Sequence, residues 1–178
     1  MLLKNFFGHL HTVGRHRRLV RKYCFRLGLY RQGLMHDLSK YSPTEFGPGV
    51  RYYTGKKSPN AGERDEYGFS TAWMHHKGRN RHHFEYWTDY VGPDKEMVGV
   101  PMPVNYFCEM FCDRVAASRI YNGDAYTDAM PLEYYYRSRE YRLMHKDTRE
   151  LLEKLLVMLK DEGEDKTFEY VKKEILKR

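Results

Sequence analysis

The chain has 178 residues, 41% of them hydrophobic, and its 31 lysines and arginines outnumber its 24 aspartates and glutamates. This length predicts one domain with a hydrophobic core, and no apolar run is long enough to predict a membrane span or a membrane partner. Three cysteines without a CxxC pair, and a first segment interrupted by His and Arg, predict a cytoplasmic protein with free thiols. The formal charge of +7 favours anionic ligands such as nucleotides, phosphorylated metabolites or nucleic acid.

The first predicted helix covers about residues 3–27 and places two histidines on its apolar face. The residues that share this face recur at spacings of three and four and are His9, Val13, His16, Val20, Tyr23 and Leu27. A single buried histidine is usually a hydrogen-bonded core residue. Two in phase, facing the next helix, favour metal ligation, and His9 is expected to support the site or to contact substrate.

A second predicted helix, about residues 30–41, carries His36 and Asp37 side by side. Adjacent helical side chains point about 100° apart, so both can reach one metal ion only at the rim of a cavity. Imidazole and carboxylate together suit a divalent transition metal, and the carboxylate can also bridge to a second ion. Lys40 follows one turn later, and its position at the helix end is typical of a solvated cation.

The next segment, residues 42–68, contains three of the seven prolines and four glycines before Gly68. This composition predicts a long irregular loop, with a short helix near residues 43–46. A loop of this length in a compact domain is often functional. Its tyrosines and lysines suit an active-site lid over an anionic ligand, and disorder is the competing interpretation.

Four histidines within residues 75–83 form the strongest local pattern in the chain. Ser70 is expected to cap a helix that carries the first pair, and Gly78 and Asn80 are expected to end it before the second pair. On one unbroken helix, the pairs would lie about 10 Å apart, too far for two ligands of one ion. We therefore predict a turn at residues 77–81.

Metal binding is the favoured role of these histidines, since a cluster of this density is unusual in an ordinary polar loop. We expect His76 and His83 to be ligands, although which histidine of each pair binds stays open. The residues expected to support the site or to contact substrate are His75, Arg79 and His82.

Beyond a predicted loop at residues 88–103, a helix over about residues 105–121 places Asp113 on an apolar face. An unpaired carboxylate in such a position costs several kcal/mol, so it needs a partner. A metal ion is the expected partner, because the neighbouring arginine on the same helix points elsewhere.

Two amphipathic helices, about residues 143–159 and 168–176, are predicted at the C-terminal end and are joined at residues 162–166. We expect them to pack against the preceding helices. Strand signals are weak throughout, so the predicted fold class is all-α with a single domain.

The string HDLSK resembles the His-Asp-hydrophobic-Gly-Lys signature of the HD-domain superfamily of metal-dependent phosphohydrolases, with Ser39 in place of glycine. The order of His, His-Asp, further His and a late Asp is similar to that family over about residues 9–120. The strings HDLSKYSPTEF and AWMHHKGRNRHHFEYW resemble an uncharacterised bacterial and phage family related to HD domains, which implies no substrate. The resemblance implies one HD-like helical domain over residues 1–178, with an HD core at about 9–121 and C-terminal helices in 122–178.

The resemblance also implies a ligand set and two catalytic residues. The implied ligands are His16, His36, Asp37, His76, His83 and Asp113. They would hold one or two divalent ions of manganese, iron, zinc, cobalt or nickel. Asp37 and Lys40 are the implied catalytic residues, and Lys40 would face the phosphate of the substrate.

Three functions fit these residues. The expected one is a metal-dependent phosphohydrolase that acts on a nucleotide or another small phosphorylated molecule through a metal-activated water. Lys40 and Arg79 would offset charge on the transferring phosphoryl group. The alternatives are an HD-fold diiron oxygenase, which the same ligands would serve, and a non-enzymatic nucleic-acid-binding protein with structural histidines. The oligomeric state stays open.

Overall fold

The computed structural model describes residues 2–138 and 143–177, and α-helices dominate these ranges. The helices are α1 (Leu2–Arg26), α2 (Tyr30–Met35), α3 (Pro43–Arg51), α4 (Pro59–Tyr67), α5 (Thr71–Lys77), α6 (Val104–Asn122), α7 (Met130–Ser138) and α8 (Lys146–Tyr170). Short 3₁₀ helices cover Leu38–Tyr41, Phe84–Tyr86 and Gly123–Ala125, and a π-helical segment covers Val171–Ile175. The predicted helical class is confirmed, while residues 1 and 178, the ends of the predicted domain, lie outside the described residues.

The hydrophobic core lies between α1, α6, α7 and α8. The apolar face predicted for α1 is buried, including both of its histidines, and α1 packs against α6 and α2. Three free cysteines belong to this core, and all are buried: Cys24, Cys108 and Cys112. Within the two described ranges, no helix has both the length and the apolar character that a membrane crossing requires.

The predicted second helix, residues 30–41, does not continue through His36 and Asp37. Helix α2 ends at Met35, and Asp37 has a φ of 53°, in the left-handed region that Asp adopts more readily than most residues. Arg17 of α1 stabilises this break, because its Nε donates a hydrogen bond of 2.8 Å to the His36 carbonyl oxygen. The prediction of one helix was wrong, and the break buries the side chains of both His36 and Asp37.

Residues 42–68, predicted as a long irregular loop, mainly form α3 and α4. The prolines that suggested a loop include Pro43 and Pro59, which occupy the first turns of these helices, where the missing N–H has no intrahelical partner to lose. Helix α3 approaches α1 closely at Gly49, since a Cβ atom there would collide with the ring of His9. The loop prediction was therefore wrong for most of this segment.

The predicted loop at residues 88–103 contains a hairpin in which β1 (Thr88–Val91) pairs antiparallel with β2 (Glu96–Gly99). This hairpin is the only β-structure in the described ranges. Another short helix, α7, was not predicted.

At the C-terminal end, the chain is helical on both sides of Gly163, whose non-helical φ and ψ interrupt α8. The φ of 84° at Gly163 is left-handed, and this residue lies within the junction predicted at residues 162–166. Residues 171–175, predicted as α-helix, adopt π-helical geometry.

Candidate metal centre

Two groups of side chains that could hold a metal ion meet at Asp37, and the first combines α1, the break after α2, and α6. Its members are His16, His36, Asp37 and Asp113, whose ligand atoms lie within 4.8 Å of one another. The Nε2 atoms of His16 and His36 lie 3.6 and 3.3 Å from Asp37 Oδ2. His16 Nε2 is also 2.9 Å from Asp113 Oδ1. The structure thus brings together the four ligands predicted from these parts of the sequence.

The second group lies on the other side of the Asp37 carboxylate. The Nε2 atoms of His76 and His82 lie 3.3 and 3.4 Å from Asp37 Oδ1, and His83 completes a group within 4.8 Å. His82, predicted to be a supporting or substrate-binding residue, is placed as closely to Asp37 as the predicted ligand His76. Asp37 therefore presents Oδ2 to the first group and Oδ1 to the second, which is the arrangement of a bridging carboxylate.

The turn predicted at residues 77–81 is confirmed, because α5 ends at Lys77. The Asn80 side-chain amide stabilises the turn by donating to the His76 carbonyl oxygen and to Ser39 Oγ, both at 2.8 Å. A 3₁₀ helix at Phe84–Tyr86 follows the second histidine pair. The turn returns both histidines of that pair to Asp37.

Helix α5 begins at the predicted cap, since Ser70 Oγ accepts a hydrogen bond of 3.0 Å from the backbone N–H of Trp73. The carboxylate of Glu63, on α4, accepts hydrogen bonds of 2.6 Å from both the Ser70 and Thr71 hydroxyls. It also accepts from the backbone N–H groups of Thr71 and Ala72. Burial alone would raise the pKa of Glu63, but these hydrogen bonds lower it below its usual value.

Two buried carboxylates that the sequence analysis did not single out orient the histidines from behind. Glu109 Oε1 accepts from His36 Nδ1 at 2.9 Å and lies 3.2 Å from His82 Nδ1, so it supports one ring in each group. Glu45 Oε2 accepts from His76 Nδ1 at 2.7 Å. A carboxylate behind a ligating histidine fixes its tautomer and its ring orientation, leaving Nε2 for the metal.

The charges around Asp37 keep its carboxylate ionised. Burial would raise the pKa of Asp37, but the positive charges of His36, Lys40 and His76 lower it well below its usual value. The Lys40 ammonium lies 2.7 Å from Asp37 Oδ2, and this pairing outweighs burial and raises the pKa of Lys40. At His83, burial and the neighbouring His82 and His76 lower the pKa well below the usual value, which favours the neutral imidazole that binds metals.

The donor atoms at this centre fit a cation. Among the buried atoms of the described residues that lack a hydrogen-bond partner of acceptable geometry, four belong to this centre: both carboxylate oxygens of Asp37, His82 Nε2 and His83 Nε2. Asp37 Oδ2 is still ion-paired with Lys40 at 2.7 Å. Buried polar atoms are rarely left unpaired, because the loss of their hydration is costly. Imidazole nitrogens and carboxylate oxygens that converge in this way are the ligands that a divalent transition-metal ion takes.

The other predicted supporting residues lie outside both groups. The ring of His9 packs against Phe46, with 5.1 Å between centroids, and burial together with the charge of Lys40 lowers its pKa to about 4. His75 Nδ1 donates to Glu45 Oε1 at 2.7 Å. The side chain of Arg79 is exposed on the turn between the histidine pairs.

Comparison with known protein families gives a match over most of the chain. The family model DUF5662, described as a family of unknown function, matches residues 5–158, which include every residue of both groups. No curated protein and no solved structure matches the chain.

Proposed function

The chain belongs to the DUF5662 family, and we propose that it is a metal-dependent phosphohydrolase of the HD type that acts on a nucleotide or another small phosphorylated molecule. The observation that carries this proposal is the position of Asp37, whose two oxygens face two separate groups of ligands. Paired metal sites that share a ligand recur in phosphatases and nucleases.

Seven side chains would hold the ions. The first group, His16, His36 and Asp113, would hold one ion, and the second group, His76, His82 and His83, would hold the other, with Asp37 between them. Ions bound there would supply an activated water and a positive centre for the phosphoryl oxygens. Glu109 and Glu45 would keep the histidine rings in the orientation that this binding needs.

The substrate would enter beside Lys40 and Asp113. Their side chains are 31% and 17% exposed, whereas that of Asp37 is 1% exposed. In this position, the Lys40 ammonium would bind a phosphate oxygen and offset its negative charge. Arg79 is a second cation on the surface near the histidine turn, and it would contact a more distant part of an anionic substrate.

An HD-fold diiron oxygenase is the second candidate, and the composition of the centre fits it equally well. The two groups together contain five imidazoles and two carboxylates, and imidazole suits iron as well as zinc, copper and nickel. Ligand identity alone does not distinguish a phosphorus substrate from a carbon substrate, so the distinction requires an activity measurement.

The test begins with protein purified without a chelator or a histidine tag. We expect elemental analysis to find about one to two transition-metal ions per chain. With manganese or cobalt added, a panel of nucleoside mono- and triphosphates is expected to release phosphate or nucleoside. Asp37→Asn is the inactive control.

Protein that holds no metal after reconstitution with manganese, iron, zinc or nickel would contradict the metal centre. Inactivity across the phosphate panel, together with oxygen uptake by the ferrous protein, would support the oxygenase instead.

A further inference from the structure

The first 36 residues account for the net positive charge of the chain. They contain eight lysines and arginines and no aspartate or glutamate, whereas the rest of the chain contains 23 basic and 24 acidic residues. These residues form α1, α2 and the start of the following break. The chain is therefore nearly neutral apart from one strongly cationic helical pair.

Most of this charge is not neutralised by carboxylates. Arg26 pairs with Glu164 and Asp165. In the ranges that the structure describes, no ion pair engages the other basic residues of α1 and α2, which are Lys4, Arg15, Arg17, Arg18, Arg21, Lys22 and Arg31. Unpaired guanidinium groups at this density create a positive potential that attracts polyanions.

A cleft of about 180 Å³ concentrates the charge between α1 and α2. We call it the basic groove, and its lining residues are Gly14, Arg17, Arg18, Arg21, Gly33 and Leu34. Arg17 is fixed, because it donates to the carbonyl oxygens of His36 and Leu34 and lies over the ring of Tyr41. Arg18 and Arg21 are exposed, so their guanidinium groups are available to a ligand.

An exposed aromatic pair borders the basic groove. The Phe25 ring lies against Gly33, where a Cβ atom would be 3.1 Å from it. Tyr30 packs edge-on against Phe25, with 5.2 Å between ring centroids, and is 61% exposed. An exposed ring beside a row of arginines offers a stacking surface next to a phosphate-binding surface.

We propose that the basic groove binds a single-stranded polynucleotide, with phosphates at Arg18 and Arg21 and a base stacked on Tyr30. Arginine matches phosphate geometry through paired N–H donors, and aromatic stacking accepts any base. The concave shape of the groove suits a strand better than a flat lipid surface. This binding is additional to the proposed phosphohydrolase activity and does not rest on it.

The test measures the affinity of the full chain for labelled single-stranded DNA and RNA oligonucleotides by fluorescence anisotropy, across about 50 to 200 mM salt. Each single-strand phosphate contact contributes about 0.7 to the slope of log affinity against log salt. The double variant Arg18→Gln/Arg21→Gln is therefore expected to reduce the slope by about 1.4 and the affinity at about 0.1 M salt by about 25-fold. The matched control is Lys160→Gln/Lys172→Gln, which removes the same charge from exposed positions elsewhere and is expected to bind as the wild type does.

Two further variants test base stacking on Tyr30 and the independence of oligonucleotide binding from the metal centre. Tyr30→Ala is expected to weaken binding at least about fivefold, the lower range for loss of one stacked base. Asp37→Asn, which removes the shared metal ligand, is expected to leave oligonucleotide binding unchanged, so the two proposals fail separately.

Equal affinity of Arg18→Gln/Arg21→Gln and the wild type would overturn the groove assignment. Loss of binding in Asp37→Asn alone would also overturn it, by placing the nucleic acid at the metal centre. Binding of the wild type to vesicles of phosphatidylserine, without binding to oligonucleotides, would assign the surface to anionic lipid instead.

Discussion

Glu109 connects the two ligand groups, which makes it the most informative position to change. Its Oε1 atom accepts from His36 Nδ1 and lies within 3.2 Å of His82 Nδ1, so one carboxylate orients a ring on each side of Asp37. We predict that Glu109→Ala weakens the binding of both metal ions. Glu109→Gln keeps an acceptor oxygen but loses the charge, so we expect a smaller loss.

The size of the effect follows from what the carboxylate contacts. Loss of a hydrogen-bond partner behind a ligating histidine typically reduces metal affinity about 10- to 100-fold. Since Glu109 supports one histidine in each group, each ion is expected to lose about that factor. The alanine variant also leaves two buried ring N–H groups unpaired, at about 1–3 kcal/mol each in the free energy of unfolding.

Glu45 provides the matched comparison. Its carboxylate contacts His76 in the second group and His75, which lies outside both groups. Glu45→Ala is therefore expected to weaken only the ion held by the second group, by about 10- to 100-fold. The first ion should keep its wild-type affinity.

Competition titrations of metal-free protein against a chromogenic chelator, with zinc and with manganese, would resolve these affinities. Far-UV circular dichroism and a thermal melt of each variant would separate loss of metal from loss of fold. Wild-type affinity for both ions in Glu109→Ala, or equal weakening of both ions in Glu45→Ala, would refute the assignment of these carboxylates.

Predictions at three further positions test the centre and its supports. Asp37→Asn keeps a side chain that tolerates the left-handed backbone, so the circular dichroism spectrum of the helices should not change. Elemental analysis of this variant should show loss of metal, and retained metal would contradict the bridging role of Asp37. Glu63→Ala should lower the free energy of unfolding by about 2–3 kcal/mol in denaturant titrations, because a carboxylate that caps α5 is lost. Folding lowers the pKa of Glu63 from 4.5, so its ionised carboxylate stabilises the folded chain. The difference in the free energy of unfolding between wild type and Glu63→Gln should therefore be largest above about pH 5 and should shrink as the pH falls. A difference that grows on acidification would contradict this role. Gly49→Ala should cost about 1–3 kcal/mol by the same titration, because its methyl group meets the packed ring of His9, and a neutral effect would show that α3 can shift.

The parts of the centre that follow a regular period could be predicted from the sequence. His16 lies in phase with the apolar residues of α1, so helical spacing alone places its side chain toward the interior. The predicted helix also carries Asp113, whose Oδ1 reaches His16 Nε2 at 2.9 Å although its side chain is 17% exposed. The turn between the histidine pairs was also predictable, because two ligands seven residues apart on one helix are too distant for one ion.

The local backbone at Asp37 could not be predicted, because a distant contact determines it. The break after α2 depends on the hydrogen bond from Arg17 to the His36 carbonyl oxygen, which joins residues 19 positions apart. Similarly, the approach of both His82 and His83 to Asp37 requires a non-helical backbone, which His83 has with φ of −84° and ψ of 128°. On a regular helix, these neighbours would have diverged.

The two carboxylates that were not predicted, Glu109 and Glu45, differ in whether the sequence contains a signal for them. Glu109 precedes Asp113 by one helical turn, so it lies on the same face, and this spacing was a usable signal. Glu45 could not be predicted from the sequence, because the prolines and glycines around it favoured a loop. The packing of α3 beside α5 brings its carboxylate to His76 Nδ1.

The close approach of helices at glycine has a consequence for sequence variation among DUF5662 members. A Cβ atom at Gly49 would collide with the ring of His9, whereas one at Gly47, two residues earlier, would meet open space. Members of the family are therefore expected to vary at the position of Gly47 and to keep glycine at that of Gly49. Where a member carries a larger residue at the Gly49 position, a smaller side chain is expected in place of His9.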